Sequence, residues 1–174
     1  EEFFKDLDME GVNNKEELEK LVEEELITQK EADADNKFIE DLLEAATKNM
    51  TIDLDKEIVD AEVERMHKQF VKRLEMQGIS EELYYAYAGV KKEDVTKQMA
   101  EEAEKRVKYR YLLEAITKEE KIKITDKEAK AELKKMSETY KTTEEEILKE
   151  LGTLEVLKYD LAMQKAVEVL KENN

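Results

Sequence analysis

Val59, Val63, Met66, Phe70 and Leu74 follow one another at steps of four, three, four and four residues. That spacing puts all five side chains on one face of an α-helix. The same signature recurs along the chain. Val95, Met99, Ala103, Val107, Leu112, Leu113 and Ile116 mark a long helix from about Lys92 to Glu120. Leu154, Leu157, Leu161, Ala162, Ala166, Val169 and Leu170 mark a last one from about Thr153 to Lys171. Leu18, Leu21, Val22, Ala32, Phe38, Ile39, Leu42, Leu43 and Ala46 mark one very long first helix with a polar, weakly periodic middle. No stretch reads as a strand, and richness in Ala, Glu, Lys and Leu agrees with long helices. The expected class is all-α.

Helix ends are signalled locally. Asn14 with Glu17, Thr125 with Glu128, and Thr142 with Glu145 each have the three-residue spacing of a capping box. Asp55 suits the first turn of the second helix, which runs to about Gln77, and Gly78 is placed to end it in a left-handed conformation. Ser80 opens a short segment, EELYYAYAG, that Gly89 closes. Residues 1–12 lack periodicity and read as an entry segment. A faint echo links Asp55-Lys56-Glu57, Ala61-Glu62 and Met66 to Asp126-Lys127-Glu128, Ala131-Glu132 and Met136; a true repeat would give two similar helical hairpins.

Composition narrows the function. Hydrophobic residues make up 40% and charged residues 44% of the 174, so the apolar stripes are narrow, as in an elongated helical protein and not a globule with a thick core. The net charge of -16 opposes binding to nucleic acid, which relies on Lys and Arg neutralising phosphates, and adsorption to anionic lipid. It favours solubility for a chain that carries apolar patches. The absence of cysteine removes disulfides, thiolate nucleophiles and the usual zinc sites, and fits a cytosol. No apolar run approaches the roughly 20 residues that span a bilayer. The chain starts on Glu1 without a methionine and reads as a piece of something larger.

Chemistry is sparse. Glu64 and His67 match the Glu-x-x-His spacing of di-iron bundles, but that site needs two such motifs and this chain has one histidine. His67 is better read as a surface or boundary residue. Acid runs such as Glu23-Glu24-Glu25 and Glu144-Glu145-Glu146 suit solvated faces or first turns. Four scattered glycines and one histidine supply neither a phosphate loop nor a nucleophile elbow, so no catalytic residue, metal or cofactor is expected. What remains is adaptable apolar material. Unbranched, polarizable Met packs against varied partners, and the tyrosines crowd the Gly78–Gly89 connection and the third long helix. Met66, Phe70, Met76, Tyr84, Tyr85, Tyr87, Met99, Tyr109, Met136 and Tyr140 are the pool of candidate contact residues. Several belong to the core on the bland reading. Tyr84, Tyr85 and Tyr87 stand out because they cannot all face one core.

The segment IDLDKEIVDAEVERMHKQFVKRLEMQG, the Tyr-rich stretch after it, and EDVTKQMAEEAEKRVKYRYLLEAITKEEKIKIT together resemble the C-terminal domain of bacterial trigger factor. Glu101 to Lys118 is the most specific part. The closing LKYDLAMQKAVEVLKE resembles the family's final helix, and EEFFKDLDMEGVNNKEELEKLVEEEL resembles the junction after its isomerase domain. The resemblance covers essentially the whole chain; the family's common proline is replaced by Asp55. It implies a fold of the trigger factor C-terminal or SurA-like class: a body helix with its entry segment (1–54), a first arm (55–120), a second arm (121–152) and a returning helix (153–174). It further implies a cytoplasmic, ATP-independent chaperone domain for unfolded or nascent polypeptides. Ribosome docking and prolyl isomerase activity would belong to domains missing here. Self-association through the same apolar faces fits the reading. The rival is a helical spacer or adaptor whose stripes are used up in its own packing.

Overall fold

The computed structural model describes residues 14–173, so the entry segment lies outside the described residues. Seven helices follow: α1 (Lys15–Lys48), α2 (Lys56–Met76), α3 (Glu81–Ala88), α4 (Lys92–Glu119), α5 (Asp126–Tyr140), α6 (Glu144–Leu151) and α7 (Leu154–Glu172). No strand occurs among the described residues. The chain divides into two compact units, residues 1–43 and 44–174.

In the first unit the described residues belong almost wholly to α1. Asn14 Oδ1 accepts the Glu17 N–H at 3.0 Å, capping one of the donors a helix start leaves open. Glu16 and Glu17 lie in the first turn and Lys48 in the last, both favourable to the helix dipole. Exposed pairs such as Lys15–Glu19 at 3.0 Å each add only a few tenths of a kcal/mol. Val22, Leu26, Ile27 and Phe38 remain exposed on this helix.

The second unit is built on two packings. Helices α2 and α4 pair along their lengths. Val59 shares a groove with Glu104 and Lys108, whereas His67, further along α2, meets Glu81, which in turn meets Lys92 at the start of α4. The pair is therefore antiparallel, with α3 at its turning end. Helix α7 packs on α4, α5 and α6. Ala129, Leu133, Ile147 and Leu157 form a buried cluster, flanked by Ile124, Met136, Leu148, Leu151, Leu154 and Leu161. Ala103, Ala129 and Ala166 are wholly buried, where a larger side chain would hold the helices apart. Among the described residues Val107 and Leu133 are the large side chains most deeply buried, at 1% and 2% exposure. Narrow stripes thus yield a thin core, as the composition requires.

Turn chemistry sets the helix ends. Gly78, at φ 71°, donates to Glu75 O at 2.9 Å, and Ile79 donates to Leu74 O at 2.9 Å. These are the two bonds of a Schellman motif. Helices α4 and α5 end in the same left-handed way on lysines: Lys121 and Lys141 both have φ 52°. The start of α6 differs by one residue from the sequence expectation. The box is Thr143 with Glu146, not Thr142 with Glu145. Thr142 is already engaged in closing α5, its N–H bonding Ser137 O at 3.1 Å, so the first free cap is Thr143. The expected box at Thr125 and Glu128 is present, and Asp55 caps α2 through the Glu57 N–H at 2.9 Å. The echoed segments open helices of unlike partners: α2 pairs with the 28-residue α4, whereas α5 packs on both the 8-residue α6 and the 19-residue α7.

Candidate functional site

Eight residues suffice for α3 because both ends are capped, by Ser80 Oγ on the Leu83 N–H at 3.2 Å and by left-handed Gly89. On so short a helix Tyr84 and Tyr85 lie about 100° apart and Tyr87 falls beyond Tyr84 on the other side. Tyr84 meets Phe70 of α2 edge-on, with ring centroids 5.1 Å apart, and Tyr85 at 5.7 Å. Edge-on geometry suits the ring quadrupoles. Both tyrosines are half-buried, while Tyr87 is 85% exposed.

One carboxylate fastens this cluster. Glu81 Oε1 accepts from His67 Nε2 at 2.9 Å, from Tyr85 Oη at 2.8 Å and from Lys92 Nζ at 3.1 Å. An ionised carboxylate only accepts, so the His67 Nε2 carries the proton. The His67 hydrogen bond, seconded by the Tyr85 hydroxyl, holds the Glu81 carboxyl down at about 2. Burial, then Glu81, pushes the Tyr85 phenol up to about 12. A base so depressed and so fully engaged is a fastener between α2, α3 and α4, not a proton acceptor for chemistry.

Further surfaces lie elsewhere. Met136 and Tyr140 line a groove of about 480 Å³ with Thr142, Glu146, Ile147, Glu150 and Leu151. Tyr140 is 70% exposed, and Met136 also packs against the α5–α7 cluster. Tyr109 lines a groove of about 320 Å³ between α2, α4 and α7, together with Glu62, Arg65, Arg106, Val107, Arg110, Leu113, Tyr159 and Met163. Met76, the last residue of α2, is 81% exposed. Met66 on α2 and Met99 on α4 are half-buried. The ten candidates therefore do not converge on one pocket. Phe70, Tyr84 and Tyr85 come together, Met136 and Tyr140 come together, and none of the ten is fully buried.

Two surfaces escaped sequence reasoning. On α1, Leu18, Val22, Leu26 and Ile27 line a groove of about 550 Å³ within the first unit; in sequence Leu18 and Val22 serve only to mark the helix, Leu26 and Ile27 are not singled out, and the four-residue steps from Leu18 to Val22 to Leu26 give no sign of exposure. The arginine-lined groove had one available signal, the four-residue spacing of Arg106 and Arg110 on α4. Among the described residues no group of three or more His, Cys, Asp or Glu side chains is placed to hold a metal ion, and no helix is long and apolar enough to cross a membrane.

Residues 15–172 match the family model for the bacterial trigger factor protein C-terminus. The chain is 42% identical over 173 residues to the trigger factor of Bacillus subtilis (strain 168), covering 99% of this chain and 41% of that protein. It is 40% identical to the trigger factor of Bacillus pumilus (strain SAFR-032), with the same shares covered. The chain thus spans about two-fifths of the length of these curated relatives. Its fold is similar to that in a solved structure of trigger factor domains from Thermotoga maritima, with TM-score 0.56 and 19% identity, over 78% of this chain and 80% of that one.

Proposed function

The chain belongs to the bacterial trigger factor C-terminal family, and from that premise we propose that it is an ATP-independent chaperone domain that binds unfolded or nascent polypeptide through dispersed apolar patches. The observation that carries this reading is the placement of Met76, Tyr87 and Tyr140. All three are adaptable or amphipathic side chains, and they are 81%, 85% and 70% exposed on a chain with a thin core. Large side chains left in water on well-formed helices are available to a partner. At roughly 25 cal/mol per Å², a few such contacts give weak, reversible holding and not a tight complex. The net charge of -16 keeps the patches of different molecules apart.

In this reading residues 55–120 act as one arm and 121–152 as the other, with 153–174 as the returning helix and residues 1–54 as the body helix with its entry segment. The parent protein works in the bacterial cytosol. It docks on the ribosome and isomerises prolyl bonds through domains other than this one.

The test is suppression of aggregation of a chemically denatured, proline-independent model protein, followed by light scattering against chain concentration. Dose-dependent suppression, weakened by Tyr87→Ser and Tyr140→Ser in variants of unchanged helicity, supports the reading. No suppression at a wide excess of folded chain points to a helical spacer.

A further inference from the structure

The chain contains seven methionines and no cysteine, so all of its sulfur is thioether and an oxidant meets no thiol first. The methionines differ sharply in access. Met50, Met66, Met99, Met136 and Met163 are half-buried; Met136 packs against the α5–α7 cluster, and Met163 lies in the groove between α2, α4 and α7. Met76 is 81% exposed, and among the described residues it is the one methionine left mainly in water. Its place in the fold spares the helix from a change there. Met76 is the last residue of α2, and the closing turn is fastened by backbone alone: Gln77 and Ile79 donate to Leu74 O and Gly78 to Glu75 O, each at 2.9 Å. Arg73, one turn back, is exposed, and residues three apart on a helix are neighbours. An oxygen placed on the Met76 sulfur therefore has water and a guanidinium within reach as donors. On a half-buried methionine the same oxygen would enter packed apolar contacts, where an unpaired polar atom is costly.

We propose that Met76 is a reversible oxidation site through which peroxide weakens the hold of this domain on unfolded polypeptide. The thioether lone pair attacks one peroxide oxygen; the S–O bond forms as the O–O bond breaks, and the departing hydroxide takes the proton of the transferred oxygen and leaves as water. Sulfur loses two electrons and the peroxide gains them. The product, methionine sulfoxide, is polar and chiral where the thioether was apolar and adaptable. Since α2 keeps its closing turn, the change falls on the exposed contact and not on the fold. Reversal consumes two thiol groups and releases water. A chain without cysteine must take them from a separate enzyme of the methionine sulfoxide reductase class. The site follows from access; its consequence for holding rests on the chaperone reading.

The experiment treats the full chain with dilute hydrogen peroxide, every sample carrying Met9→Leu because Met9 lies outside the described residues. Sulfoxide at each remaining methionine is followed in time by peptide mass mapping. Met76 is expected to oxidise severalfold faster than any of the half-buried methionines, with helicity unchanged at the stage where Met76 alone is converted. After catalase removes the peroxide, that chain should need about fourfold more protein for half-suppression of aggregation, the equivalent of one buried methylene. Methionine sulfoxide reductases of both epimer specificities, supplied with a dithiol, should restore the starting value. A Met76→Leu chain, measured against its own untreated sample, should lose nothing in the same exposure. Equal or faster oxidation of a half-buried methionine overturns the site. Selective oxidation of Met76 with unaltered holding, or an equal loss in the Met76→Leu chain, overturns the switch and leaves the chaperone reading standing. Absence of suppression by the untreated, folded chain overturns the chaperone reading and the switch with it, while the oxidation rates still decide the site.

Discussion

His67 and Glu81, fourteen residues apart in sequence, meet at 2.9 Å and thereby fix α3 against α2. Tyr85 and Lys92 complete the grip on the same carboxylate, so the aromatic surface of Phe70, Tyr84 and Tyr85 is tied to one acidic side chain.

That dependence has a pH signature. The Glu81 carboxyl is held at about 2 against an ordinary 4.5. A depressed carboxylate stabilises the fold fully above its open-chain value, and the contribution fades as pH falls from about 4.5 to about 2. Glu81→Gln should therefore lower the thermal midpoint at pH 7, by the few degrees that about 1–2 kcal/mol represents for a chain of this size. The gap between variant and wild type should close by pH 2. Parallel melts at both pH values check it; a gap of equal size at pH 2 would show that the carboxylate charge is not what holds α3.

Lys121 and Lys141 carry positive φ where glycine is the usual occupant. An L side chain in that region costs roughly 1–2 kcal/mol, partly offset by the greater entropy that glycine loses on folding. Lys121→Gly and Lys141→Gly should each raise stability by about 0.5–1 kcal/mol. Urea midpoints should move upward with unchanged slope.

The thin core predicts a sharp contrast between sites. Leu133 is 2% exposed inside the α5–α7 cluster, and Leu133→Ala should cost about 2–5 kcal/mol. Ala129→Leu, at a wholly buried position, should cost about 1–3 kcal/mol by overpacking. Urea melts of both variants, beside wild type, measure these costs.

Exposed Met76 and Tyr87 should behave in the opposite way. Met76→Ser and Tyr87→Ser are expected to shift stability by less than about 0.5 kcal/mol while weakening suppression of aggregation. A variant that loses stability and activity in proportion would assign the residue to packing.

Helix existence and most ends were legible because each rests on short-range chemistry. Gly78 and Gly89 announce left-handed turns, and Thr125 with Glu128 announces a cap. The miss at Thr142 shows where local reading stops. Which of two adjacent threonines opens α6 depends on how α5 closes, and α5 closes on a lysine that carries no turn signal. Exposure was less legible. Phe38 and Leu43 lie on the same helix at positions that look alike in sequence, yet one is exposed and the other buried. The arginine groove draws on α2, α4 and α7, and only the Arg106–Arg110 pair is local enough to be read from spacing.

The cluster of Ala129, Leu133, Ile147 and Leu157 is assembled from consecutive helices joined by connections of a few residues. Loop-closure entropy grows with the length of chain to be closed, and local contacts speed folding. Residues 126–157 should therefore collapse before α4 meets α7. The α4–α7 contact closes a longer loop, and the groove lined by Arg106, Arg110 and Met163 comes into being only after that second step. During refolding, that groove should mature later than the Met136–Tyr140 groove does.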